Sequence, residues 1–169
     1  MYRIAVFGIP GGGKSTLSKK LSVITGIKLY ALDSIKYKQN GAPVSPEEFS
    51  KRHGCLMDLD SWIIDGFGTL ESFWLRIEAA DTLVFVDLPY HVHYWRVTKR
   101  MLKGIFVKPE GWPKECSVFK GTLQSFRNLK LSPKFWTPEL FDEIRLRGKN
   151  KNIYRITSTK EFNSFVKHF

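Results

Sequence analysis

Residues 8–16 of the chain read Gly8-Ile9-Pro10-Gly11-Gly12-Gly13-Lys14-Ser15-Thr16. This G-x-x-x-x-G-K-[ST] spacing is that of a P-loop, in which backbone N–H groups and the N-terminus of a helix point at phosphate oxygens. Its surroundings agree, because an apolar run (YRIAVF, residues 2–7) precedes it and a helical pattern follows it over residues 17–24. The stretch therefore predicts a strand, a phosphate-binding turn and a helix in direct succession.

The residues of this loop have separate expected roles. Its glycines carry no Cβ atom that would obstruct a phosphate group. The phosphates of ATP are therefore expected to lie against Gly11, Gly12, Gly13, Lys14, Ser15 and Thr16. Lys14 is expected to neutralise the phosphoryl group in transfer, and the Ser15 hydroxyl to bind Mg²⁺. The loop thus predicts ATP and Mg²⁺ as cofactors and leaves the phosphoryl acceptor undefined.

The composition is typical of a soluble globular protein with excess positive charge. Hydrophobic residues make up 43% and charged residues 25% of the 169 residues, and we expect a single domain over residues 1–169. No apolar run approaches about 18 residues, and the N-terminus lacks the basic-then-apolar layout of a signal peptide. We therefore expect a cytoplasmic protein with no membrane span.

The formal net charge is +11, and the basic residues concentrate in the second half of the chain. Such a surface attracts highly charged phosphates or polyanions. One late group consists of Arg145, Arg147, Lys149 and Lys151. Solvated surface positions, a cluster around a nucleotide cleft, and nucleic-acid binding are three alternatives for these residues, and charge alone is a weak signal for the last.

A second strand is predicted over residues 27–32 (IKLYAL), ending at Asp33. The carboxyl ends of parallel strands border the crevice in which open α/β sheets bind ligands. Asp33 is therefore expected to orient the acceptor, or to act as general base if the acceptor offers a hydroxyl group. The alternative is that Asp33 caps the next turn or helix. Residues 34–60 are predicted to form an acceptor-side insertion, with a helix that starts at Ser45-Pro46.

Two more aspartates are associated with predicted strands. Asp65 ends the strand 61–65 (SWIID), a Walker B-like pattern of a hydrophobic run closed by an acid, and Asp87 lies in the strand 81–89. Either carboxylate could hold Mg²⁺ together with Ser15, and we favour Asp65.

The helix between these two strands has an apolar stripe and one notable cation. The stripe consists of Leu70, Phe73, Trp74 and Ile77 and predicts core positions. Arg76 lies on another side of the same helix, and we expect it to reach a phosphate or to meet solvent.

A helix over residues 91–103 places Arg96 and Arg100 on one face, because they are four residues apart. Arginine suits bidentate contacts with phosphate and stacking on a flat base, so both are expected to clamp the nucleotide. The next segment is rich in proline and glycine, and residues 104–120 are predicted to form a lid that excludes water. Ser158 is predicted to cap the last helix, residues 159–168.

The alternation of strands and helices predicts an α/β fold of the three-layer P-loop NTPase type. Its five parallel strands are expected in the order 2-3-1-4-5, with helices on both faces of the sheet. The predicted strands are residues 2–7, 27–32, 61–65, 81–89 and 153–157.

The chain resembles the adenylate-kinase-like branch of P-loop kinases, and more narrowly the bacterial DNA-topology-modulation or adenylate-kinase-related proteins. Besides the P-loop, the matching stretches are Leu32-Asp33, Trp62-Ile63-Ile64-Asp65-Gly66, residues 75–82 (LRIEAADT) and Val86-Asp87-Leu88-Pro89. The resemblance implies that Arg96 packs on the adenine, that Arg100 contacts phosphates, and that a loop near Ser158 closes over the base. Tyr90 stands where that family usually has an arginine.

These features together predict a kinase that moves the γ-phosphoryl group of ATP to a small acceptor, with a nucleoside monophosphate as the expected acceptor and a monomer or homodimer as the assembly. Two alternatives stay open. The charge of +11 motivates a nucleotide-dependent DNA-binding or topology-modulating regulator. A kinase for a sugar or a shikimate-like hydroxyl compound rests on Asp33 alone.

Overall fold

A computed structural model describes residues 2–38, 42–106 and 118–168 of the chain. Their strands form one five-stranded sheet in the order β2-β3-β1-β4-β5, and neighbouring strands are parallel throughout. The strands are β1 (Arg3–Gly8), β2 (Leu29–Ala31), β3 (Trp62–Asp65), β4 (Thr82–Val86) and β5 (Asn152–Ile156). The predicted fold class and strand order are confirmed.

Eight helices accompany the sheet in the described residues. They are α1 (Lys14–Thr25), α2 (Leu32–Lys36), α3 (Pro46–Met57), α4 (Leu70–Ala79), α5 (Tyr90–Phe106), α6 (Val118–Phe135), α7 (Pro138–Arg147) and α8 (Thr159–His168). The start of α3 agrees with its prediction. The Ser45 hydroxyl accepts a hydrogen bond from the backbone N–H of Glu48, and the first turn of the helix contains Pro46. None of these helices combines the length and apolar composition that a membrane crossing needs.

The sheet separates two apolar layers, which gives the three-layer arrangement. One layer joins α1 and α8 to the sheet through Ile4, Val6, Leu17, Leu21, Ile63, Val84 and Phe162. The other joins α3, α4 and α7 to the opposite face through Phe7, Phe49, Phe73, Ile77, Phe85 and Ile144. Both faces of the central strands are thus buried, as is usual for parallel sheets.

The strand register brings the functional positions together. β1 lies in the middle of the sheet, and its Val6 pairs with Asp65 of β3 while its Gly8 pairs with Val86 of β4. Because all five strands point the same way, their carboxyl ends meet at one edge. The P-loop leaves β1 at that edge.

Two local predictions were wrong. β2 is shorter than expected, because the chain turns into α2 at Leu32, whose side chain is buried and packs beside Gly66. Asp33 thus lies in the first turn of α2, where its charge is favourable for the helix. Leu70 was predicted to face the core but is 53% exposed, because it is the first residue of α4, which starts after the Thr69 cap.

The predicted lid, residues 104–120, falls mostly outside the described residues. The structure describes α5 as far as Phe106 and α6 from Val118. The insertion predicted over residues 34–60 contains most of α2 and all of α3, and residues 39–41 within it lie outside the described part of the chain.

Candidate functional site

The P-loop backbone is shaped by glycines in conformations that other residues rarely adopt. Gly8 has φ +134°, and a Cβ atom there would lie 2.2 Å from the carbonyl oxygen of Val86. Gly13 has φ +87° and forms the N-cap of α1, where the Leu17 N–H bonds to its carbonyl at 2.9 Å. The first backbone N–H groups of α1 are therefore available to an anion placed in the loop.

Lys14 lies at the centre of a group of charges. Its Nζ donates a hydrogen bond of 3.0 Å to the carbonyl of Ile9, within the loop itself. Burial lowers the pKa of Lys14, the charges of Asp65 and Asp33 act in the opposite direction, and the charge of Arg100 adds to the lowering. One ammonium group thus faces two carboxylates and a guanidinium.

Asp65 is only 5% exposed at the end of β3. Burial raises the pKa of its carboxyl group, while the charge of Lys14 and a hydrogen bond from Ser15 lower it. Its Oδ1 is buried and has no hydrogen-bond partner among the described residues. A carboxylate oxygen without a partner, beside a serine hydroxyl, offers the hard oxygen ligands that Mg²⁺ prefers. The residues present therefore fit a magnesium ion.

Asp33 and Arg100 interact through their charges with each other and with Lys14. The charge of Asp33 acts on Lys14, on Asp65 and on Arg100. Burial lowers the pKa of Arg100, and Asp33 opposes that shift. The Nη2 atom of Arg100 donates a 2.8 Å hydrogen bond to the Ser125 hydroxyl on α6. Asp33, in the first turn of α2, is thus close enough to the loop that follows β1 for its charge to act there.

Arg96 contacts the P-loop directly. Its Nη1 donates a 2.6 Å hydrogen bond to the carbonyl of Gly12, and its guanidinium carbon lies 5.3 Å from the ring centroid of Phe162 on α8. Burial lowers the pKa of Arg96. The guanidinium is therefore positioned by the carbonyl of Gly12 and by the ring of Phe162. No sequence pattern links Phe162 to Arg96.

Ser158 and Asp87 both have structural partners. The Ser158 hydroxyl accepts a 3.1 Å hydrogen bond from the N–H of Glu161, which makes it the cap of α8 as predicted. One oxygen of Asp87 accepts hydrogen bonds from Nε and Nη2 of Arg155 at 2.9 and 2.6 Å. Asp87 is therefore engaged in an ion pair on β5, whereas Asp65 points at Lys14 and Ser15.

Arg76 is neither at a phosphate-facing position nor in solvent, contrary to both expectations. It is 1% exposed, and it donates to the carbonyl of Gly66 at 2.7 Å, to that of Phe67, and to that of Ser72 at 3.0 Å. Burial lowers its pKa to about 10, and Asp65 opposes the shift. The guanidinium thus holds the loop that directly follows Asp65. The only sequence signal for such a role is the glycine content of that loop.

His93 contacts the backbone of the P-loop. It is fully buried on α5, and its Nδ1–H donates to the carbonyl of Pro10 over 2.9 Å. Burial lowers the pKa of His93, the hydrogen bond to Pro10 opposes that change, and the charge of Lys14 adds to it. Because a carbonyl only accepts, this contact selects the tautomer that carries its proton on Nδ1. No motif in the sequence singles out this histidine.

No protein-family model matches the chain. Among curated proteins, the pentafunctional AROM polypeptide of Scheffersomyces stipitis is 26% identical in an alignment of 144 residues that covers 69% of this chain. The chain spans only 9% of the length of that polypeptide.

Two solved structures align with nearly the whole chain. A shikimate kinase from Acinetobacter baumannii, in complex with shikimate, has a TM-score of 0.57 at 15% identity and covers 99% of this chain and 90% of its own. A sugar kinase from Janibacter sp. has a TM-score of 0.50 at 14% identity and covers 98% and 90%. These similarities show that the fold is that of P-loop kinases. The narrower adenylate-kinase-like and DNA-topology assignments stay predictions.

Proposed function

We propose that the chain is a Mg²⁺-dependent phosphotransferase that moves the γ-phosphoryl group of ATP to a hydroxyl group of a small acceptor. The observation that carries the proposal is that Lys14, Ser15 and Asp65 interact at the P-loop, and that Asp33, in the first turn of α2, is close enough for its charge to act on Lys14 and Asp65. The first three residues supply what the donor side of such a reaction requires. A carboxylate across from them supplies a base for the acceptor side.

On the donor side, the phosphates of ATP would lie against the backbone of residues 11–16. Lys14 would exchange its hydrogen bond with the carbonyl of Ile9 for phosphate oxygens. Mg²⁺ would be held by Ser15 and by the unpartnered Oδ1 of Asp65, and when bound it supplies positive charge to the phosphates. Arg96, already hydrogen-bonded to Gly12, would act from the outer side of the loop.

In the proposed reaction, the acceptor oxygen forms a bond to the γ-phosphorus while the bond between that phosphorus and the β–γ bridging oxygen breaks. ADP leaves with the electrons of the broken bond, and the proton of the acceptor hydroxyl passes to Asp33. Lys14 and Arg100, whose charges act on one another, would stabilise the charge on the phosphoryl oxygens. Closure of residues 104–120 over the site remains a prediction.

Two observations favour a hydroxyl acceptor over a phosphate acceptor. One is the position of Asp33, and the other is that Arg76 is not available to bind an acceptor phosphate. A hydroxyl has a proton to remove, whereas the phosphate of a nucleoside monophosphate requires positive charge around it. Arg76, which we expected to reach such a phosphate, donates to backbone carbonyls instead. The fold similarity to a shikimate kinase and to a sugar kinase also supports a non-nucleotide acceptor.

The nucleoside monophosphate predicted from the sequence is the second candidate acceptor. It is supported by the resemblance of residues 2–105 to adenylate-kinase-like proteins and by Arg100, a cation that interacts with the charge of Asp33.

The two candidates are separated by assaying ADP production with ATP and Mg²⁺ against two panels, one of small polyhydroxy compounds and one of nucleoside monophosphates. We expect turnover with a hydroxyl compound, its loss in Lys14→Ala, and a decrease in kcat of about 10²–10⁴-fold in Asp33→Asn. Thermal unfolding of both variants checks that they remain folded. Turnover of a nucleoside monophosphate that is unaffected by Asp33→Asn would select the second candidate. The absence of acceptor-dependent ADP production in both panels would contradict the phosphotransferase.

A further inference from the structure

A cleft of about 540 Å³ lies between α7 and the edge strand β5. Four of its six lining residues are cations and none of the six is acidic. The lining consists of Phe141, Arg145, Lys149, Lys151, Ile153 and Arg155.

The cleft lies on the face of the sheet opposite the P-loop helix. Its Phe141 and Ile153 pack with Phe85 and Ile144, whereas Leu17 of α1 packs in the layer on the other face. The cations of the cleft are therefore separated by the sheet from the phosphate site proposed above.

Two of the four cations are held in place by the fold. The Arg155 guanidinium pairs with Asp87 and lies 4.6 Å above the ring centroid of Phe141. Lys151 donates to the carbonyls of Glu78 and Ala80 at 2.5 and 2.6 Å. These contacts position two of the positive charges of the cleft beside its two apolar residues, Phe141 and Ile153.

The other two cations, Arg145 and Lys149, are exposed and make no hydrogen bond or ion pair with any residue that the structure describes. Their neighbour Arg147, by contrast, is paired with both Glu78 and Glu143. Uncompensated cations that converge on one cavity raise its potential and favour an anion there. Guanidinium groups in particular match the oxygens of phosphate.

We propose that this cleft is a second anion site that binds a small organic ligand bearing two or more phosphate groups. Its volume lies in the range of about 300–1,000 Å³ found for small-molecule sites. Phosphates would lie on Arg145 and Lys149, and the organic part would lie on Phe141 and Ile153. The proposal is independent of which acceptor the P-loop site uses.

A small ligand suits this cleft better than a nucleic acid. The four cations line a single cleft. The helix α7 itself carries the carboxylates of Glu139, Asp142 and Glu143, and a long phosphate backbone laid across that helix would meet them. Like charges at such a contact weaken binding.

The test is calorimetric titration with inorganic tripolyphosphate, which carries several phosphates and no base. We expect two classes of sites in the unmodified chain. The double variant Arg145→Glu/Lys149→Glu should bind at least about tenfold more weakly at one class and keep the other, since each charged hydrogen bond lost lowers affinity strongly. Lys14→Ala should weaken the class that the double variant keeps.

The matched control is Lys20→Glu/Lys167→Glu, which reverses two exposed lysines on α1 and α8 and should leave both classes intact. The ADP-producing activity of Arg145→Glu/Lys149→Glu should also be unchanged, which separates this proposal from the proposed function. Tripolyphosphate binding in the double variant that equals that of the unmodified chain would overturn the proposal. A single-stranded DNA oligonucleotide that loses affinity in the double variant while tripolyphosphate does not would also overturn it, in favour of a nucleic-acid surface.

Discussion

Arg76 illustrates how one buried side chain shapes the edge of the sheet that carries the candidate site. Its guanidinium is almost fully buried, yet its hydrogen-bond partners are backbone carbonyls of residues 66, 67 and 72. The charge of Asp65 is close enough to affect it. Arg76 thus positions both the loop after β3 and the electrostatic surroundings of the proposed magnesium ligand.

Replacing Arg76 with methionine should lower the free energy of unfolding by about 2–5 kcal/mol, because two loop carbonyls lose their buried donor. Urea denaturation measures this change. Arg52→Met is the control, since Arg52 only makes an exposed ion pair with Glu48, and it should cost no more than about 1 kcal/mol. Equal stabilities for the two variants would contradict the role given to Arg76.

His53 predicts a loss of stability in acid. It is 2% exposed on α3, its ring stacks on Phe49, and its pKa is lowered to about 4 by burial and by the charge of Arg76. Below pH 6.5 the unfolded chain gains a proton at this residue that the folded chain does not, so stability falls between pH 6.5 and about 4. At about 1.4 kcal/mol per pKa unit, the loss is about 3 kcal/mol.

His53→Phe should remove most of this pH dependence when unfolding is followed by urea titration at pH 7 and pH 4.5. His93, whose pKa is lowered in the same direction, leaves a remainder. His91→Gln, at an exposed position on α5, is the control and should retain the behaviour of the unmodified chain. If the free energy of unfolding changes between pH 7 and pH 4.5 by the same amount in His53→Phe as in the unmodified chain, the acid sensitivity arises from other groups.

At the residue scale, local spacing predicted the glycine turn between β1 and α1 and the Ser158 cap of α8, because both depend on neighbouring residues. The phosphate-binding roles of residues 11–16 and the magnesium role of Ser15 and Asp65 stay predictions. The contacts of Arg76 with Gly66 and of His93 with Pro10 could not be predicted, because these partners lie outside their own helices and are backbone carbonyls, which every residue has.

At the scale of elements, β1 and β4 approach each other closely at Gly8. Gly8→Ala would place a methyl group 2.2 Å from the Val86 carbonyl oxygen, at a φ of +134° that alanine rarely adopts. We expect a loss of about 3–5 kcal/mol in unfolding free energy, from overlap and backbone strain together.

The matched control is Gly54→Ala in the middle of α3. A Cβ atom at Gly54 would meet nothing within 4 Å, so this variant should be stabilised by about 0.5–1 kcal/mol. Thermal or chemical denaturation of both variants checks the pair. A Gly8→Ala protein as stable as the unmodified chain would show that β1 and β4 can separate without cost.

The element boundaries show where sequence patterns reach their limit. The apolar run of residues 27–32 predicts one strand, but a run of that length is compatible with a strand end and with a helix start alike. The tertiary contact of Leu32 with the loop at Gly66 decides between them, and it moves Asp33 onto α2.

At the scale of the whole molecule, the strand order was predictable because the P-loop and the alternation of strands and helices indicate the P-loop NTPase fold, whose order was expected for this chain. The positive cleft was not predictable in this way. The sequence shows a run of basic residues at 145–151, but only the packing of α7 against β5 distinguishes Arg147, which is paired, from Arg145 and Lys149, which face the cleft.

Nucleotide binding should stabilise the whole chain. ATP with Mg²⁺ at about 100 times its dissociation constant adds about 2.7 kcal/mol to the folded state, which corresponds to a rise in Tm of about 5–10 °C for a chain of this size. Differential scanning fluorimetry measures this rise, and Lys14→Ala should abolish it. A Tm that ATP and Mg²⁺ leave unchanged in the unmodified chain would contradict nucleotide binding at the P-loop.

The central place of β1 in the sheet has a consequence for biosynthesis. β1 and the glycine turn after it precede β3 and β4 along the chain, yet β1 lies between these two later strands, which begin at Trp62 and Thr82. A nascent chain that stops before β4 therefore contains the whole P-loop motif, but it lacks the strand that packs beside Gly8 and Gly12 of that loop. Contacts so distant along the chain form late and slowly. The P-loop segment is thus synthesised before the strands that complete its binding site. A nucleotide that needs the complete site can therefore assist only the last steps of folding.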